Sequence, residues 1–273
     1  MEQDLSVKYD SLKKSLEETG SLAVAFSGGV DSTFLLRVAH DMLGDRLLAV
    51  TADLDSFPDI EMTAAVDFCR EAGIHHIVAK ADQLAIEGFR NNWPDRCYHC
   101  KKIVFQRVYE AAAQKGIRTV ADGTNADDLG TYRPGLKALR ELGVKSPLAD
   151  SGFSKQEIRI LSRELGLPTW NKPSFACLAT RFPYHEPITK NKLMIVEEAE
   201  RFLIDRKFRQ MRVRAHGAAA RIEVPEEDFG RLIEPGIRKA VNKKFHELGF
   251  DYVTMDLDGF RSGSMDENME DMK

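Results

Sequence analysis

Seven consecutive residues, Ser27-Gly28-Gly29-Val30-Asp31-Ser32-Thr33, have the makings of an anion cradle. Adjacent glycines let a backbone turn sharply and approach a bound group closely. Hydroxyls at Ser27, Ser32 and Thr33 can donate to phosphate oxygens, and Asp31 is placed to hold Mg²⁺ against them. The apolar run Leu22-Ala23-Val24-Ala25-Phe26 before the loop reads as a buried strand. After the loop, Val30, Phe34, Val38 and Met42 recur at helical spacing. A strand, a glycine turn and a helix start aim unpaired N–H groups and a partial positive charge at one point. The commoner phosphate loop puts four residues between its glycines and ends in Lys-Ser/Thr. This loop does neither, so it is a different phosphate device.

Sulfur forms the second group. Cys97-Tyr98-His99-Cys100 opens a predicted helix near 98–115, and helix N-termini favour thiolates. Cys177 lies in a proline-rich loop and is the natural third ligand, whereas Cys69 reads as a small core residue. Spacing alone leaves three uses open. Cys97, Cys100 and Cys177 can carry a 4Fe–4S cluster with one iron open to a small molecule. They can hold zinc with His99 or His185 as the fourth ligand. They can also stay unligated, with Cys177 itself consumed.

These groups need elements to position them. A lead-in helix is expected over 4–19. Strand candidates 22–26, 47–52, 74–79 and 117–121 alternate with helices 30–43, 59–72 and 98–115. That order predicts an α/β fold with an open, doubly wound, mostly parallel sheet. Ligands then sit at the carboxyl ends of strands, where Ser27-Gly28-Gly29, Thr51-Ala52-Asp53 and Asp122-Gly123-Thr124-Asn125 all fall. Prolines 168, 173, 183 and 187 break the chain over 166–188. The expected domains are 1–187 for the loop and cysteines, 188–263 as a smaller α+β domain, and 264–273 as a disordered acidic tail. In the second domain a helix over 189–206 precedes strands 210–215 and 219–224. A helical stretch 226–247, interrupted at Pro235-Gly236, leads to a strand over 251–257. On the first of these strands Arg212 and Arg214 share the face opposite Met211 and Val213, and Arg261 follows the last. Strand alternation by itself reads those arginines as a solvated charged face.

Composition limits the partners. The chain has 273 residues, 43% apolar and 30% charged, which suits a water-soluble fold. No apolar run approaches the roughly 20 residues needed to cross a bilayer. Met1-Glu2-Gln3-Asp4 is unlike a secretory signal, and four cysteines in a chain of this length point to a reducing cytoplasm. A net charge of −4 favours a small-molecule substrate over folded RNA.

The pattern Ser-Gly-Gly-x-Asp-Ser resembles the PP-loop of ATP pyrophosphatases. Combined with Asp122-Gly123-Thr124-Asn125-Ala126-Asp127-Asp128 and Ser174-Phe175-Ala176-Cys177-Leu178-Ala179-Thr180-Arg181, it is similar to the LarE family of ATP-dependent sulfur transferases. The resemblance runs from about residue 5 to 263. It implies an adenine-nucleotide-alpha-hydrolase-like fold that uses ATP and Mg²⁺. The implied reaction adenylates carboxylates of pyridinium-3,5-biscarboxylic acid mononucleotide, releases pyrophosphate and delivers sulfur. The thiocarboxylates formed serve the nickel-pincer nucleotide of lactate racemase. Ser27, Gly28, Gly29, Asp31, Ser32, Thr33, Thr51, Gly123 and Asn125 are then the expected ATP residues. The resemblance also puts phosphate-binding arginines at Arg212, Arg214 and Arg261, for the substrate's mononucleotide phosphate. Asp128 is a candidate to assist Mg²⁺ or the substrate, and Arg181 to offset charge on adenylate or pyrophosphate. One branch of the family sacrifices the sulfur of the cysteine matching Cys177. The other holds a 4Fe–4S cluster on matches to Cys97, Cys100 and Cys177, and this chain has that full trio. The cluster mode, a cytoplasmic location and a homo-oligomer, commonly a hexamer, are what the resemblance leads one to expect. The rivals are a tRNA thiolase with the same loop, an ammonia-ligating synthetase of the NAD or GMP type, and a non-catalytic nucleotide-binding regulator.

Overall fold

Four short apolar runs line up as one parallel sheet. The computed structural model describes residues 2–130, 134–173 and 176–261. Ser174, Phe175 and the acidic stretch 264–273 lie outside the described residues. The chain divides into two compact units, Met1–Phe89 with Asp95–Phe175, and Arg90–Pro94 with Ala176–Lys273.

The first unit begins with α1 (Glu2–Glu18), β1 (Leu22–Ala25), α2 (Val30–Leu43), β2 (Leu47–Asp53), α3 (Asp59–Glu71) and β3 (His76–Lys80). The chain continues through a single turn, α4 (Glu87–Arg90), then α5 (Arg96–Gln114), β4 (Val120–Ala121), α6 (Pro134–Glu141), α7 (Pro147–Asp150) and α8 (Lys155–Glu164). The strand order is β3-β2-β1-β4, every pair parallel. Successive residues of one strand feed opposite cores. Leu22, Val24, Leu47 and Ala49 pack with Phe34, Leu35 and Val38 of α2 and with α1 and α8. Ala23, Leu48 and Val50 pack with Phe105, Val108 and Ala112 of α5. Both faces are therefore covered, which is why these strands read as unbroken apolar runs. This is the expected α/β, doubly wound sheet.

The order places β1 between the outward path through β2 and β3 and the return to β4. That reversal is a topological switch point, where open α/β sheets form their ligand crevice. The loops after β1 and β4 flank it.

Two strand starts in this sheet differ from the sequence reading. The fourth strand has only two laddered residues, pairing Ala23 with Val120 and Val24 with Ala121. Ile117 is buried in the core without joining the ladder. The outer edge of β4 is met by a single bridge from Lys145. The third strand starts at His76, since Ile74 N–H turns back to close α3 on Cys69 O at 2.9 Å.

The second unit contains α9 (Lys190–Asp205), β5 (Arg212–His216), β6 (Ala219–Glu223), α10 (Phe229–Ile233), α11 (Pro235–Glu247) and β7 (Tyr252–Met255). The sheet order is β5-β6-β7, antiparallel then parallel. The helical stretch is interrupted at Pro235 as expected, α10 ending at Ile233 and Pro235 opening α11. The proline occupies the first turn of that helix, where its missing N–H costs nothing. Arg90–Pro94 belongs to this unit through Asn92, whose Nδ2 donates to Phe182 O (3.2 Å) and Pro183 O (2.7 Å). Among the described residues no helix is long and apolar enough to cross a membrane.

Candidate active site

Gly28 turns the chain after β1 with φ +65°, a left-handed conformation that glycine adopts without strain. Gly29 then caps α2. Inside the loop Ser32 Oγ donates to Gly29 O (3.2 Å) and accepts from Ser27 N (3.3 Å). The Ser27 hydroxyl lies 3.1 Å from the same oxygen. These contacts knit the loop into one shape before any ligand arrives. Lys172 Nζ adds a brace, donating to Gly28 O at 3.0 Å and to Glu61 Oε2 at 2.8 Å. Glu61 is buried, so this pair is largely shielded from water.

The Asp122 loop packs directly on the start of α2. A Cβ on Gly123 would lie 2.9 Å from Ser32 N, so only glycine permits this approach. Asp122 accepts from Thr124 Oγ1 (2.6 Å) and Ser146 Oγ (2.8 Å). Asn125 Oδ1 accepts from the backbone of Asp127 (3.0 Å) and Asp128 (3.3 Å), and Asp128 Oδ2 accepts from Asn125 N at 3.1 Å. The loop is thus internally bonded, with Thr124 and Asn125 buried. Thr51 is also buried, donating to Phe26 O at 2.8 Å. Its proton is therefore committed, so His76 Nε2, 2.8 Å from Thr51 Oγ1, must be the donor in that contact. Burial pushes the His76 imidazole below its ordinary range, consistent with a neutral ring.

Asp31 is the reactive-looking member. Its Oδ2 accepts from Lys155 Nζ at 2.6 Å. Its Oδ1 is buried with no hydrogen-bond partner among the described residues. Burial pushes its carboxyl up, against the opposing pull of Lys155. An orphaned, partly desolvated carboxylate oxygen is what a hard divalent cation takes, so the residues fit Mg²⁺. Thr33 differs from the other hydroxyls, being fully enclosed with Oγ1 likewise unpartnered among the described residues. The cavity beside the loop is lined by Ser27, Gly29, Asp31, Lys155, Arg159 and Lys172 among others. The three cations were not singled out from the sequence. For Lys155 a signal existed, because Ser154 and Glu157 form a capping box whose helix starts at that lysine. For Lys172 and Arg159 no local pattern marks them.

The thiols divide by environment. Cys69 is fully buried, and its thiol is pushed up to about 12 by desolvation, which keeps it inert. Cys97 and Cys177 are exposed and Cys100 is half-buried, none of them in a disulfide. Cys97 and Cys100 stand one turn apart at the start of α5 in the first unit, whereas Cys177 belongs to the second. Among the described residues no group of three or more His, Cys, Asp or Glu side chains is gathered around a metal position. As a donor set, accessible thiols suit iron–sulfur ligation.

In the second unit Arg181 is fully buried and forms a bidentate pair with Glu200 at 2.7 and 2.8 Å. Its Nη1 donates to Ala176 O (3.1 Å) and Cys177 O (3.3 Å). Arg214 is paired with both oxygens of Glu223 at 3.0 Å and donates to Thr180 O at 2.7 Å. Arg212 and Arg214 are 5% and 4% exposed, so the strand face that alternation read as solvated is buried. Burial pulls the Arg212 guanidinium down to about 10, with the Arg181 and Arg214 charges adding to it and Glu200 and Glu223 opposing. Arg261 lies 3.4 Å from Asp258 and 3.7 Å from Asp256.

A family model described as asparagine synthase matches residues 7–158, more than half of the chain. The pyridinium-3,5-bisthiocarboxylic acid mononucleotide synthase of Lactiplantibacillus plantarum is 40% identical over 97% of this chain and 96% of its own length. The chain belongs to the LarE family of PP-loop enzymes. Another relative, an uncharacterized protein of a Synechocystis strain, is 39% identical over 96% of this chain and 97% of its own. A GMP synthase of Aeropyrum pernix is 30% identical over 72% of this chain and 41% of its own length. The LarE family match therefore reaches through both units, while the GMP synthase likeness leaves much of that longer protein unmatched.

Proposed function

We propose that this LarE-family protein is an ATP-dependent sulfur transferase for nickel-pincer cofactor synthesis. It adenylates carboxylates of pyridinium-3,5-biscarboxylic acid mononucleotide and converts them to thiocarboxylates. The observation that carries this reading is the preshaped Ser27–Thr33 loop at the switch point, in a chain aligned almost end to end with a synthase of that product. A carboxylate resists attack because it is electron-rich and oxide is a poor leaving group. Its oxygen therefore attacks the α-phosphorus, and pyrophosphate departs. The α2 N-terminus with Lys155 stabilises the charge that develops on the departing group, and Asp31 would hold Mg²⁺ there. Lys172 holds the loop's peptide at Gly28. Ser27, Gly29 and Ser32 frame the phosphates, while Thr33, Thr51, Gly123 and Asn125 support from beneath.

Sulfur then attacks the acyl carbon and AMP leaves. Cys97, Cys100 and Cys177 would hold a 4Fe–4S cluster, which would supply the sulfide. Arg181, locked by Glu200, fixes the backbone at Cys177 and lends it positive charge. Three buried guanidiniums, Arg181, Arg212 and Arg214, face two carboxylates, Glu200 and Glu223. That excess of positive charge suits the substrate's phosphate, with Arg261 of the same unit added to it, while Asp128 in the first unit would assist Mg²⁺ or the substrate. A cytoplasmic homo-oligomer, hexameric as in the family, belongs to the same reading.

Incubation with substrate and ATP should yield AMP and pyrophosphate, read by chromatography. Cys177→Ala should abolish thiocarboxylate formation while pyrophosphate release continues. ADP and orthophosphate as products would overturn the proposal.

A further inference from the structure

Arg159 is a cation that the proposed reaction leaves without a task. It sits in the middle of α8, half-buried, and lines the cavity beside the phosphate loop. Its Nη1 donates to Trp170 O at 2.7 Å and its Nη2 to Lys172 O at 2.9 Å. The planar fork thus grips two carbonyls of one segment, a geometry that a lysine ammonium does not reproduce. That segment, 167–173, has little regular structure of its own. Trp170 N–H reaches Leu167 O (3.3 Å) and Lys172 N–H reaches Thr169 O (3.0 Å), while Pro168 and Pro173 have no N–H to give.

Lys172 carries the tie onward, because its Nζ donates to Gly28 O (3.0 Å) and to Glu61 Oε2 (2.8 Å). A lysine side chain loses much rotamer freedom when pinned, so its reach depends on where its backbone is held. Arg159 holds that backbone at the lysine's own carbonyl. Lys155, Arg159 and Arg163 recur at four-residue spacing and share one face of α8. Lys155 meets Asp31 at 2.6 Å, and the Arg163 guanidinium lies over the Trp170 ring at 5.1 Å. One helix face therefore touches the phosphate loop at its first residue and fastens the Lys172 segment along the rest.

We propose that Arg159 is a positioning residue for nucleotide binding, acting through Lys172 to hold the Gly28 peptide in its phosphate-binding shape. This role rests on the ATP reading given under the proposed function. The test uses full-length protein, with binding of ATP and Mg²⁺ read by calorimetry and turnover read as pyrophosphate release. Arg159→Met removes the fork, Arg159→Lys keeps the charge alone, and each is also combined with Lys172→Met. Thermal melts identify the folded variants. Each folded Arg159 variant should bind ATP several-fold more weakly, with kcat at saturating ATP little changed. In the Lys172→Met background the same substitutions should weaken binding no further, because the tie is already broken. A merely structural role would lower the melting temperature in both backgrounds without that coupling. Wild-type affinity in either Arg159 variant, or losses that multiply with that of Lys172→Met, overturn the proposal. Wild type that binds ATP yet forms no AMP overturns the adenylation reading and leaves this role standing. Wild type that binds no ATP overturns both.

Discussion

Asp31 combines two demands that conflict in the nucleotide-free protein. Its carboxylate must be charged to hold Mg²⁺, yet burial disfavours that charge and pushes its protonation upward. The sign of the linkage follows. With its folded pKa above the unfolded value, Asp31 stabilises the fold below the unfolded pKa, and that contribution disappears as pH rises through the folded one. Asp31→Asn should therefore leave the melting temperature at neutral pH unchanged or raised while eliminating AMP formation. The Mg²⁺ dependence of adenylation should weaken on acidification at a pH above the ordinary aspartate range, seen in pH profiles of pyrophosphate release. Lys172 gives a contrasting case. Lys172→Met strands the buried Glu61 and should destabilise the protein by about 1–3 kcal/mol, with an increased KM for ATP. The double variant with Glu61→Gln should recover most of the stability and little of the KM. The sequence marks Asp31 because its neighbours are glycines and hydroxyls at characteristic spacing. It hides Lys155 and Lys172, which return to the loop from 124 and 144 residues away. Such convergence leaves no periodic trace.

Elements explain why the loops hold their shape. Gly123→Ala would force its new methyl against Ser32 N and push the two switch-point loops apart. A loss of about 1–3 kcal/mol, with falls in both ATP binding and turnover, is the expected result by thermal melts and steady-state kinetics. Ser154→Ala removes the cap of α8, and about 1 kcal/mol of stability should go with it. Strand and helix alternation was legible because both sheet faces are dry, which makes β1 and β2 continuous apolar runs bounded by loops. The length of β4 was not legible. Ile117 is as apolar as its strand neighbours, but the ladder it would need ends at Val120. Likewise the β5 arginines alternate like a wet face, yet Arg214 is buried against Glu223, and the charges of Glu200 and Glu223 oppose the burial penalty on Arg212. Alternation reports which residues share a side, and partners elsewhere in the chain determine whether that side is dry.

At the scale of the whole molecule, charge and ligand linkage provide the tests. A net charge of −4 leaves no general attraction for polyanions. Filter binding at physiological salt should retain no tRNA, and a steep salt-dependent retention would restore the tRNA thiolase reading. ATP with Mg²⁺ at a hundredfold excess over Kd should stabilise the protein by about 2.7 kcal/mol, with the shift lost in Asp31→Asn. The path of the chain has its own outcome. It visits the second unit for Arg90–Pro94, returns to the first, and leaves finally at Ala176. The visiting segment is anchored there by Asn92 and by bonds from His185 N to Asn92 O and from Ile188 N to Arg90 O. A protease nick between 175 and 176 would sever the peptide yet leave this five-residue graft in place, so the two fragments should still elute together until denaturant releases them.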